Sequence, residues 1–183
     1  MNRWVRVLAG ILVLGLLISL NGFGQAAKKK IVLGFSQIGA ESEWRTAETE
    51  SIKASAAAAG IDLRFSDAQQ KQENQIKAIR SFIAQKVNVI ALAPVVETGW
   101  ETVLQEAKRA KIPVILVDRT VKVSDESLYA TFIGSDFVEE GRRAAIWLLG
   151  YMKTNKPVNI VELQGTVGSG PAIDRKKGFE EIL

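Results

Sequence analysis

Asp118 and Arg119 end the run Pro113-Val114-Ile115-Leu116-Val117, so an acid and a base arrive together at the close of an apolar stretch. A carboxylate only accepts hydrogen bonds, whereas a guanidinium offers five donors in a fixed fork. Side by side they suit a ligand dense in hydroxyls, such as a sugar. A salt bridge at a strand end suits the same pair, and position alone does not separate the two readings. Trp44-Arg45 is a second pair of interest. Its indole offers a flat apolar face to C–H groups, and the adjacent guanidinium can hold hydroxyls or a ring oxygen. The plain alternative is that Trp44 covers a small hydrophobic patch. Arg45 falls in a predicted first helical turn, where a cation opposes the helix macrodipole and so asks for a local use.

These residues need elements to hold them. Ile31 to Ser36 reads as a first strand opening into Gln37, and Glu43 to Ala59 as a helix stopped by Gly60. Ile61 to Phe65 is a second strand, followed by Asp67 and Gln69. Gln72 to Gln85 is a second helix with Ile76, Ile79, Phe82 and Ile83 on one face. Val87 to Ala93, Pro113 to Arg119 and Tyr129 to Ile133 continue as strands, with a helix predicted from Glu97 to Arg109. The alternation predicts an α/β fold, a doubly wound parallel sheet with right-handed crossovers. Ligands of such sheets collect beyond the carboxyl ends of the strands. Gln37, Trp44, Arg45, Asp67, Gln69, Asp118 and Arg119 all fall at that edge.

A further helix is predicted from about Phe137 to Met152, with Asp136 as N-cap and Glu139 completing a capping box. Val138, Ala145, Leu148 and Leu149 are expected on its buried side, and Trp147 in its core. Val158 to Leu163 reads as another strand. Gly165 to Gly170 is a loop leading to Pro171, which suits a first helical turn and aims Arg175 inward. That loop has glycines but no lysine where a phosphate loop requires one. Asp174-Arg175 repeats the acid–base type, with an internal pair as its alternative. Trp100 is expected to pack over its neighbouring loop. The Gln69–Gln75 run is expected to begin as polar helix surface.

Residues 1–26 carry a basic start, Asn2 to Arg6, an apolar stretch from Val7 to Leu20, and small residues Gly24 and Ala26 before Ala27. That is the three-part pattern of a cleavable secretory signal peptide. An uncleaved anchor is the alternative. The whole chain has 24 Lys+Arg and 20 Asp+Glu; loss of Arg3 and Arg6 leaves a net charge near +2, no argument for nucleic acid. With no cysteine and no histidine, disulfides, thiolate nucleophiles, Cys/His zinc sites and histidine triads are unavailable. Glu43, Asp67 and Asp118 are the acids near the predicted edge, and none is coupled to a nucleophile. A binding protein, not an enzyme, is the expectation, with no cofactor and no metal.

Longer stretches carry a resemblance: GFSQIGAESEWRTAETE at Gly34–Glu50, DAQQKQENQIKAIRSFIAQ at Asp67–Gln85, APVVETGWETVLQEAKRAKIPVILVDR at Ala93–Arg119 and VELQGTVGSGPAIDRKKGFEE at Val161–Glu181. The chain resembles the periplasmic sugar-binding proteins of ABC importers, of the ribose- and galactose-binding class with the type 1 periplasmic-binding-protein fold. The resemblance implies two lobes that close on one monosaccharide, galactofuranose-like or a related aldose, and a permease partner in the inner membrane. It implies a monomer in the periplasm. Carried over by motif, Trp44 and Arg45 pack on and bind the sugar, Asp118 and Arg119 bind its hydroxyls, and Arg175 reaches it from the second lobe. Gln37, Asp67 and Gln69 are further carry-overs. Residues 27–133 would be the first lobe and residues 134–183 the start of an incomplete second one. Two related roles stay open: the effector-binding lobe of a sugar-sensing regulator, and a membrane-tethered sugar receptor.

Overall fold

Five short β-rich runs pair side by side into one parallel sheet. The computed structural model describes residues 29–153 and 156–183; the predicted leader at residues 1–26 lies outside them. The strands are β1 (Val32–Gln37), β2 (Asp62–Asp67), β3 (Val89–Leu92), β4 (Val114–Val117) and β5 (Thr131–Ile133). Their order is β2-β1-β3-β4-β5, so the direction of winding reverses between β1 and β3. The helices are α1 (Glu43–Ala58), α2 (Gln72–Ala84), α3 (Glu101–Arg109), α4 (Phe137–Met152) and α5 (Gly170–Glu180).

The central strands β1, β3 and β4 are largely buried because both faces are covered, whereas the edge strands β2 and β5 stay partly exposed. One core joins Ile79 and Phe82 of α2 with Ile90, Leu92, Val114 and Leu116 of the sheet and Trp100, Val103 and Leu104 around α3. Burial of each such side chain is worth about 1.5–3 kcal/mol. A second cluster, Phe35, Ile38, Ala91, Ala93 and Val95, lies under the carboxyl ends of β1 and β3. A Cβ at Gly34 would land on the Phe82 ring, which is why a central strand position carries glycine.

Local chemistry sets the helix ends. Ser42 Oγ accepts from Arg45 N at 3.2 Å to start α1. Its end is a Schellman turn: Gly60 N donates to Ala57 O, Ile61 N donates to Ala56 O, and Gly60 sits at φ 67°. Asp136 Oδ1 accepts from Glu139 N at 2.9 Å and starts α4 as predicted. The Glu139 carboxylate turns to Arg143 instead of back to the cap, so only half of the box forms. Helix α3 begins at Glu101, later than the predicted Glu97, because Gly99 has φ 84° and Glu97 is tied by Gly168 O and Lys122 N.

Three expectations are corrected. The segment from Val158 to Leu163 forms no ladder with any described strand, and Leu163 is 96% exposed. An apolar alternation becomes a strand only beside a partner, and the described residues offer it none. Trp147 is not core: it is 66% exposed and stacks on Tyr151 at 5.2 Å. Helix α4 buries Phe137, Gly141 and Ala145, a face turned away from Trp147. Leu149 is likewise exposed. The buried face meets α5 so closely that a Cβ at Gly141 would land on Arg175 O, and one at Gly178 on Val138 O.

Candidate functional site

The cleft lies at the carboxyl edge of the sheet, beside the reversal between β1 and β3. That reversal is held by Gln75, fully buried on α2. Its Nε2 donates to Ala93 O at 2.6 Å, and its Oε1 accepts from Val95 N at 2.9 Å. One amide thus fixes the loop after β3. The polar Gln69–Gln75 run hid this role, since only the helical face of Gln75, one turn before Ile79, signals burial.

Asp118 follows β4 at φ 65°, a left-handed conformation that Asp tolerates better than most residues. Its N–H donates to Ile133 O at 2.8 Å, anchoring the turn to β5. This turn points Asp118 toward the opening of α1. There Arg45, 3% exposed, donates from Nη2 to Asp118 Oδ2 at 2.7 Å and from Nε to Glu41 Oε1 at 3.1 Å. Its Nη1 donates to Glu48 Oε2. Burial works against the Arg45 cation, but Asp118 and then Glu48 outweigh it and hold its pKa above the ordinary arginine value. Glu48 stands three residues after Arg45 on α1, a helical spacing that would have found it, whereas Glu41 precedes the Ser42 cap and lies outside the helix. Trp44 stays 57% exposed, and the Arg45 guanidinium lies 4.9 Å from its ring centroid.

Arg119 is mostly buried, and its Nη1 donates to Val95 O at 3.2 Å. Its Nε makes no hydrogen bond; Asp118 Oδ2 is 3.6 Å away, an ion-pair distance too long for one. Burial, then the neighbouring Arg45, lower its pKa from the ordinary arginine value, with Asp118 and Glu41 opposing them. From α5, Arg175 donates from Nε to Glu140 Oε2 at 2.9 Å and lies 4.6 Å from the Phe137 ring.

Trp44, Arg45, Asp118, Arg119 and Arg175 therefore line one cleft of about 300 Å³, together with Glu41, Ser42, Ser135, Phe137, Glu140 and Pro171. Three guanidinium groups face three carboxylates there, so the lining is near neutral and rich in both donors and acceptors. A larger hollow of about 710 Å³ beside Gln164 and α5 has no comparable buried donor.

The other three predicted residues do not line this cleft. Gln37 is fully buried beneath it, and its amide is already used: Nε2 donates to Glu48 and Thr49, each at 3.0 Å, and Oε1 accepts from Ile38 N. Asp67 ends the edge strand β2, where its Oδ1 accepts from Gln69 N at 2.7 Å and forms a turn. Gln69 is exposed at φ 52° in that turn. Trp100 is fully buried, with Nε1 donating to Val96 O at 2.7 Å.

Comparison with known proteins gives a consistent result. The galactofuranose-binding protein YtfQ of Escherichia coli (strain K12) is 56% identical over 153 residues, covering 84% of this chain and 48% of that protein. The binding protein of the arabinose ABC transporter of Shewanella sp. ANA-3, solved with α- and β-L-arabinofuranose, is 61% identical with a TM-score of 0.78, covering 82% of this chain and 49% of that one. A Mycobacterium smegmatis structure with β-D-fucofuranose is 61% identical with a TM-score of 0.79, covering 83% and 50%. The chain thus spans about half the length of these relatives. The family description "Periplasmic binding protein domain" matches residues 33–183. A parallel α/β sheet with this winding, and this degree of identity, show that the chain belongs to the periplasmic binding protein family, with the type I fold of sugar ABC importers.

Proposed function

We propose that this chain holds one wall of the monosaccharide site of a sugar ABC importer's solute-binding component. The observation that carries the reading is the cleft's lining, in which Arg45, Arg119 and Arg175 face Glu41, Asp118 and Glu140 beside the exposed Trp44 ring. A hydrogen bond from a sugar hydroxyl to a charged group of this kind is worth about 1.5–3 kcal/mol. Trp44 supplies an apolar face to the sugar's C–H groups, Arg45 its spare N–H groups, Asp118 an acceptor, and Arg175 a donor from α5. A neutral polyol fits a lining in which positive and negative groups balance. Similarity to proteins named or solved with galactofuranose, arabinofuranose and fucofuranose favours a galactofuranose-like furanose or related aldose.

In this reading residues 27–133 form the first lobe, and residues 134–183 begin a second. Residues 1–26 direct export to the periplasm and are removed. The partner is a permease in the inner membrane, nucleic acid has no part, and the protein is a monomer. Because the residues present enclose the ligand from few sides, several hydrogen bonds at about 1–3 kcal/mol each are unmade. Calorimetric titration of the chain with galactofuranose should therefore give little heat and a Kd of about millimolar. Micromolar or tighter binding would overturn the half-site reading.

A further inference from the structure

Glu48 holds Arg45 without lining the cleft: it faces the neighbouring groove of about 430 Å³, behind the wall that Trp44 and Asp118 share between the two. A single oxygen, Glu48 Oε2, accepts from both Arg45 Nη1 and Gln37 Nε2. Gln37 is itself immobilised, since it lies at the end of β1 and also bonds Thr49 and Ile38. Rigid strand, buried amide, carboxylate and guanidinium thus form one chain of contacts that ends at Asp118.

We infer that Glu48 is a positioning residue of the sugar site: it transmits the fixed end of β1, through Gln37, to Arg45 and so sets Arg45 against Trp44 and Asp118. All three nitrogens of Arg45 are engaged without any ligand, three of its five N–H donors being used: Glu41, Glu48 and Asp118 occupy Nε, Nη1 and Nη2. Glu41 and Asp118 lie at a helix opening and a turn, whereas Glu48 alone links the guanidinium to a side chain buried under the sheet edge. Preorganisation of this kind lowers the ordering cost of binding. The contact supplies charge to Arg45 and also a fixed oxygen that places its guanidinium.

The test reads the unliganded chain first, and so separates this inference from the sugar-binding reading on which it rests. The Arg45 Nε–H resonance and the Trp44 indole resonances are followed by NMR in the parent, Glu48→Asp, Glu48→Gln and Glu48→Ala. Glu48→Asp keeps the charge but withdraws the oxygen by one methylene; Glu48→Gln keeps a carbonyl oxygen in place without the charge. The expected pattern is loss of the Arg45 and Trp44 signatures in Asp and Ala and their return in Gln. Retention of both signatures in Glu48→Asp would overturn the inference, and it does not require the Ala variant to fold. Sugar titration of the same variants should then show about tenfold weaker binding for Glu48→Asp, the scale of one hydrogen bond. A parent that keeps its Arg45 signature but binds no sugar would refute the sugar reading alone.

Discussion

Replacing Asp118 tests whether the acid is held for its charge. Arg45 is almost wholly buried, and Asp118 Oδ2 meets its Nη2 at 2.7 Å. Asp118→Asn keeps the shape, tolerates the left-handed φ of 65°, and still offers a carbonyl oxygen to Arg45. What it removes is the charge assistance, the gap between a hydrogen bond worth about 1.5–3 kcal/mol and a neutral one worth about 0.5–1.5 kcal/mol. Glu41 and Glu48 still neutralise Arg45, so the full penalty of about 3–5 kcal/mol for orphaning a buried charge does not apply. The expected loss is about 1–2 kcal/mol. Asp118→Ala loses the bond outright and adds about 1–2 kcal/mol of left-handed strain, for a total of about 3–4 kcal/mol. Urea unfolding followed by tryptophan fluorescence measures both. A variant pair that differs from the parent by less than about 0.5 kcal/mol, a typical neutral surface change, would refute the argument.

Two further outcomes follow from the same geometry. Gln75→Ala should destabilise by about 3 kcal/mol, because Ala93 O and Val95 N lose their partners in the core, and denaturant melts should show it without a change in the m-value. Burial raises the pKa of Asp174, with Asp136 adding to it and Lys177 opposing. The folded state then binds more protons than the unfolded one across the window from the ordinary aspartate range up to the raised value, so stability falls as pH rises through it. Asp174→Asn should be the more stable protein at pH 7 and match the parent below that window, as thermal melts against pH will show.

The strand–helix order of residues 31–133 was legible because each element carries its own period and its own stop. The Gly60 stop and the Asp136 cap are local, and both fall where they were expected. Asp118 and Arg119 could be placed at the carboxyl edge because a parallel sheet puts them there. What was not legible depends on partners distant in sequence. Gln75 looks like polar surface until the loop after β3 folds over it. Gln37 looks like a ligand contact until Glu48 and Thr49 consume its amide. Trp147 sits on a helix that is apolar on several sides, so periodicity did not reveal which side α5 would cover. Val158 to Leu163 has the alternation of a strand, but alternation does not supply a neighbour.

The most direct test of the sugar site is the Trp44 indole resonance during titration of the chain with galactofuranose. The account predicts a saturable shift of this resonance, because Trp44 is 57% exposed on the cleft lining, and a much smaller shift of the Trp100 indole, fully buried and committed to Val96 O. A Trp44 indole that stays unmoved while other resonances report binding would contradict it.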